Sequence, residues 1–144
     1  MRYQPLPATF YCQARANFMA QMQGNSLAVF NSNDVYPISA DSTLPFAQHR
    51  DIFYLSGVDQ EESILVLFPK AIEAKHREIL FVRETNAHIA VWEGAKLTKE
   101  QATKLTGIET VYWLSDFERI FQEVATQCDT FYFNTNEHYR QAVE

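Results

Sequence analysis

The residues of this sequence with chemistry to offer are four histidines, a tight group of acids and two tryptophans. His49, His76, His88 and His138 form neither an HExxH helix nor a close pair, so no metal-ligand motif can be read from them. His76 falls in a charged connection and reads as a solvated side chain. His49 stands beside Arg50, where a direct role and a surface position are both open. Asp59, Glu61 and Glu62 cluster at a turn; such a group suits a hard cation, or is simply the solvated end of a hairpin. Asp41, between Ala40 and Ser42 and ahead of Pro45, either caps a turn or faces a ligand. Trp92, followed by Glu93 and Gly94, is either a packed or interface tryptophan or a platform for a flat apolar ligand group. Trp113 sits inside a strand pattern and reads as core. Gly-x-Ser-x-Gly, P-loop and Gly-x-Gly-x-x-Gly patterns are absent from the sequence. Cys12 and Cys128 lie outside any CxxC or Cys/His arrangement and read as reduced, buried thiols. On its residues alone, the chain holds no self-sufficient catalytic machinery.

The elements that must position these residues follow from periodicity. Pro7 and Thr9 signal a helix start with Thr9 as N-cap, and Phe10, Ala14, Phe18 and Met22 recur at four-residue steps until Gly24 and Asn25 stop the helix. Ser26–Phe30 is a short apolar strand. Residues 31–43 are polar and turn-forming. Asp51–Ser56, rich in β-branched and aromatic residues, predicts a strand ending at Gly57, and Ser63–Phe68 predicts a second that stops at Pro69. Glu78–Val82 predicts a third, paired antiparallel with Ser63–Phe68. Ile89–Trp92 is an apolar run broken by Glu93-Gly94, which puts Trp92 at a strand end. Thr98 with Gln101 forms a capping box for a short helix closed by Gly107. Thr110–Trp113 is a strand. Ser115 with Glu118 is a second capping box, behind which Phe117, Ile120, Phe121, Val124 and Cys128 line one helix face. Thr130–Phe133 is the last strand. The expectation is an α/β domain with a mixed central sheet of about six strands and three helices on both sides of it.

Composition sets the outer limits. At 144 residues, with 47% hydrophobic and 14% aromatic content, the sequence describes one domain with a substantial core. A net charge of −6 argues against general affinity for nucleic acid or anionic membranes, which needs a basic face. No apolar run approaches the roughly 20 residues of a membrane span. The N-terminus lacks the basic-then-apolar form of a signal peptide, which makes a cytoplasmic location the expectation.

Taken together, four stretches resemble the N-terminal domain of the aminopeptidase P branch of the creatinase/prolidase family. They are Asn25-Ser26-Leu27-Ala28-Val29-Phe30; Asp41 followed by Pro45-Phe46-Ala47-Gln48-His49-Arg50-Asp51-Ile52-Phe53-Tyr54-Leu55-Ser56-Gly57; Glu61-Glu62-Ser63-Ile64-Leu65-Val66-Leu67-Phe68; and Val91-Trp92-Glu93-Gly94. The resemblance implies a ribonuclease-H-like mixed sheet over residues 1–144 and a separate pita-bread catalytic domain. That catalytic domain would carry dinuclear manganese on two Asp, two Glu and one His, and would remove the residue before a penultimate proline. It implies substrate-binding roles for Trp92, over the substrate's proline side, and for Asp41, at the active-site entrance. It also implies homo-oligomers, and partners in proline-containing peptides and in the protein's own catalytic domain. Trp-Glu-Gly stands where relatives vary, and the Pro-Phe-Ala-Gln-His-Arg-Asp pattern favours aminopeptidase P over prolidase. The competing readings are a stand-alone α/β interaction module and the N-terminal domain of a prolidase or creatinase-type hydrolase.

Overall fold

The computed structural model describes residues 6–31, 36–37, 43–44, 50–60, 62–93 and 96–133, and of residues 36, 37, 43, 44, 50, 92 and 93 the backbone only. Five strands form the central sheet: β1 (Ser26–Asn31), β4 (Ile64–Leu67), β5 (Glu78–Val82), β6 (Thr110–Trp113) and β7 (Thr130–Phe133). Their order is β6-β5-β4-β1-β7. The inner pairs are antiparallel, with Val29 opposite Val66 and Leu65 opposite Leu80. The outer pairs are parallel, with Phe81 opposite Tyr112 and Leu27 opposite Phe131. β2 (Tyr36–Pro37) and β3 (Thr43–Leu44) make a separate two-stranded ribbon. The helices are α1 (Ala8–Gln21), α2 (Arg50–Ser56), α3 (Ala87–Glu93), α4 (Lys99–Thr106) and α5 (Phe117–Ala125).

The central strands are apolar on both faces because both faces are covered. On one, Ala28, Phe30, Leu65, Leu67, Leu80 and Val82 pack with Ala14 of α1, Ile52 and Leu55 of α2 and Ala102 of α4. On the other, Leu27, Val29, Val66, Ile79 and Phe81 pack with Phe117, Ile120 and Val124 of α5. The period-two alternation along each strand thus sorts its side chains between two cores rather than between core and water. A ladder of rings crosses the α5 face: Phe81 meets Phe117 edge-on at 5.0 Å, Phe117 stacks on Phe121 at 5.1 Å, and Phe121 reaches Phe131 of the edge strand at 6.0 Å.

The sheet has five strands, not about six, and there are five α-helices rather than three. The surplus strand is Asp51–Ser56, which is helical as part of α2. Its buried residues Ile52, Leu55 and Ser56 recur at helical spacing while Asp51 and Tyr54 face solvent. Tertiary burial has overridden β propensity. Gly57 ends this helix in the left-handed region (φ 80°), donating to Phe53 O at 2.7 Å. A Cβ there would stand 2.6 Å from the Tyr11 ring, so glycine is required on both counts. The run containing Trp92 is likewise α3, not a strand.

The α1 face is rotated from the expected one. Tyr11, Ala14 and Arg15 are buried, Phe18 and Met22 only partly, and Phe10 is exposed, touching the Tyr11 and Tyr54 rings edge-on. Pro7, not Thr9, is the N-cap. The rotation follows from Arg15, whose side chain has 0% exposure. Its Nη1 donates to Leu55 O at 2.8 Å and its Nη2 to Thr106 O at 2.7 Å. Its Nε lies 3.1 Å from Glu78 Oε1, an ionic contact outside hydrogen-bond alignment. One guanidinium thereby serves the C-terminal carbonyls of α2 and α4, where a cation is favoured by the helix dipole. At α4 the expected capping box is present, Thr98 and Gln101 bonding each other's backbone, with Gly107 left-handed at the far end. The expected box at Ser115 is not: Leu114–Asp116 forms a 3-10 turn that runs into α5, and Phe117 N donates to Leu114 O in place of a side-chain cap.

Candidate functional site at one end of the sheet

Strand directions bring the ends of β1, β5 and β6 and the start of β4 to one end of the sheet. Asn31 closes β1 opposite Ile64, the first residue of β4, and Ile64 faces Phe81 near the end of β5. Val82 in turn lies beside Trp113, the end of β6. β1 therefore ends at the same end of the sheet from which β5 runs on toward α3. Asp41 and His49 themselves lie outside the described residues.

Trp92 is the sixth residue of α3 (Ala87–Glu93), so the structure places its backbone on a helix rather than at a strand end. Asn86 begins this helix: its Oδ1 accepts from Ile89 N at 2.9 Å, the bonding of an N-cap. The helix sits on an excursion between two fastened points. At the first, Arg83 Nη1 donates to Glu62 Oε2 at 2.8 Å. At the second, Leu97 N donates to Gln60 Oε1 at 3.0 Å. Both fasteners seize the turn before β4, where Glu62 adopts a positive φ of 56° that non-glycine residues seldom take. Between them α3 is shallowly packed: Ala87, His88 and Val91 are exposed, Val91 at 77%, and Ile89 and Ala90 half-buried. The excursion is rigidly rooted and outwardly turned.

The acid cluster separates on inspection. Asp59 is exposed, Glu62 is engaged by Arg83, and Glu61 lies outside the described residues. Trp113 is half-buried against the core and carries the Lys99 ammonium 4.9 Å above its ring, a cation–π contact. Gln60 and Arg83 escaped the sequence reading, since nothing in an isolated Gln or Arg marks it as a loop fastener.

His76 overturns its expected solvated position. It is 1% exposed, at the end of a 3-10 turn (Ala74–His76) between β4 and β5, at the opposite end of the sheet. Glu73, His76 and Glu123 each offer a ligand atom within 4.8 Å of the others. This set has no aspartate and differs from the two-Asp, two-Glu, one-His set, which the resemblance assigns to a separate catalytic domain. Cys12 and Cys128 are unbridged and only half-buried, not the buried core residues expected. Burial, then the neighbouring Asp129 carboxylate, push the Cys128 thiol pKa up from 9.0. No helix among the described residues is long and apolar enough to cross a membrane.

Known proteins converge on this arrangement. The sequence profile described as Aminopeptidase P, N-terminal domain matches residues 11–132. Xaa-Pro aminopeptidase of Escherichia coli K12 is 26% identical over 124 residues, covering 86% of this chain and 28% of its own. Human Xaa-Pro aminopeptidase 3 is 29% identical over 105 residues, covering 72% of this chain and 21% of its own. The structure of Pseudomonas aeruginosa aminopeptidase PepP superposes with a TM-score of 0.75 at 24% identity, over 96% of this chain and 31% of that one. The chain thus spans under a third of the length of these relatives. With a profile match running from α1 into β7, on a mixed five-stranded sheet of the same fold, the chain belongs to the aminopeptidase P N-terminal domain family.

Proposed function

We propose that this chain is the non-catalytic N-terminal domain of a metal-dependent Xaa-Pro aminopeptidase, and that the α3 excursion forms part of that enzyme's substrate entrance. The observation that carries the reading is the family match combined with a helix that is fastened at Arg83 and Leu97 yet shallowly packed between them. An anchored, exposed excursion suits a surface that meets another domain or a ligand, and α3 bears the tryptophan that the resemblance assigns to the substrate's proline side. In this reading Trp92 offers an apolar face to the pyrrolidine ring and Asp41 lines the entrance. The hydrolytic chemistry, with its dinuclear manganese, belongs to a catalytic domain elsewhere in the protein. The substrates are peptides with proline in the second position, the enzyme is a homo-oligomer, and its compartment is the cytoplasm.

Trp92→Ala in the longer protein that carries this chain tests the proposal. Loss of an entrance contact lowers kcat/KM for Xaa-Pro peptides. The same change in the 144-residue chain costs under about 1 kcal/mol of stability, as surface substitutions do. A loss of about 3–5 kcal/mol, the range for truncating a core tryptophan, with unchanged kinetics would make Trp92 structural and end the entrance reading.

A further inference from the structure

Glu73, His76 and Glu123 meet at the far end of the sheet. Buried polar nitrogens almost always find a hydrogen-bond partner. His76 Nδ1 has none, although the residue is 1% exposed. It faces Glu73 Oε2 at 4.0 Å, while Glu73's other oxygen has Lys75 Nζ at 3.7 Å. Glu123 reaches the same point from α5, and all three ligand atoms lie within 4.8 Å of one another. We propose that Glu73, His76 and Glu123 bind a single zinc-class divalent cation, with water completing its coordination.

The chemistry favours that class. One imidazole nitrogen and two carboxylate oxygens make a mixed N/O set, suited to zinc and its borderline neighbours rather than to calcium or magnesium. Bond lengths near 2.1 Å put tetrahedral ligand atoms about 3.4 Å apart. The observed spacing is wider, and it can close by rotation of the two exposed glutamate side chains while the buried histidine stays in place. The ion would join the loop between β4 and β5 to α5; close by, Ile72 N of that loop donates to Oε1 of Gln127, two residues past α5, at 3.4 Å. It would also give the orphaned nitrogen its partner. The site stands apart from the α3 end of the sheet and does not depend on the entrance reading.

The test titrates zinc chloride into the untagged, chelator-stripped 144-residue chain by calorimetry, with the nitrogen resonances of 15N-labelled histidine followed in parallel. One ion should bind per chain, the His76 Nδ1 resonance should move, and the melting temperature should rise. Glu73→Gln and Glu123→Gln each preserve volume on exposed side chains, so folding is retained and checked by circular dichroism. Each should weaken binding at least tenfold, and the double variant should lose both binding and the rise in melting temperature. Absence of 1:1 binding, binding undiminished in the double variant, or a bound ion that leaves the His76 resonances unmoved would each overturn the proposal.

Discussion

Arg15 concentrates more of this domain's stability than any pattern of apolar residues would suggest. Its guanidinium is wholly buried and bonds the ends of two helices while facing Glu78. Removing it strands two buried carbonyls and a carboxylate at once. Arg15→Ala is therefore expected to cost about 3–5 kcal/mol, the range for removing one partner of a buried ion pair. Arg15→Lys should recover only part of this, because an ammonium cannot span the same fork. Chemical denaturation checks both, and a midpoint unchanged in Arg15→Ala would refute the role. Cys128 offers a pH-dependent counterpart. Its thiol pKa is raised by burial and Asp129, so the folded state disfavours the thiolate. This contribution to stability is fully present below the unfolded pKa and is lost as pH rises through the folded one. Peptide-resolved alkylation of Cys128 should accordingly show a higher midpoint in the native chain than in urea. Coincident midpoints would contradict the assigned environment.

At the scale of elements, α5 shows what spacing alone can establish. Phe117, Ile120 and Val124 are buried, as the face predicted over Phe117–Cys128 requires, whereas Phe121 and Cys128 are only half-buried. Phe117→Ala should cost about 3–5 kcal/mol, and Phe121→Ala distinctly less. Equal losses in denaturation would show that the ring ladder, not burial, sets the cost. β1, β4, β5, β6, β7 and α4 were legible because their apolar runs and caps act locally. α2 was not: seven residues with Ile52, Phe53 and Tyr54 carry a strand's composition, and packing against α1 and the sheet decides for helix. Arg15 was masked by an apolar i+4 series one step round the helix. His76 was masked by charged sequence neighbours, although its burial is set by the far side of the sheet. Of the proposed entrance, Trp92 and Asp41 came from resemblance, and the fasteners Gln60 and Arg83 only from the folded structure.

For the whole molecule, the proposed homo-oligomer calls for an association surface, and we propose that this domain keeps part of it. Sedimentation of the 144-residue chain over a wide concentration range should show reversible self-association. A strict monomer at the highest concentration would assign the principal contacts to other parts of the enzyme. The sheet's order has a different consequence, for synthesis on the ribosome. β1 has six residues, all buried, and one of its two edges is completed by β7, which is translated after every other described element of this domain. The hairpin of β4 and β5 can assemble on the nascent chain, but the other side of β1 stays unpaired until Phe133 has left the exit tunnel. An apolar strand with an open edge is a template for foreign strands, and parallel pairing between sequence-distant segments is intrinsically slow. Closure of this sheet therefore waits for its last strand, and a pause upstream of Asp129 leaves the nascent chain with that apolar edge open.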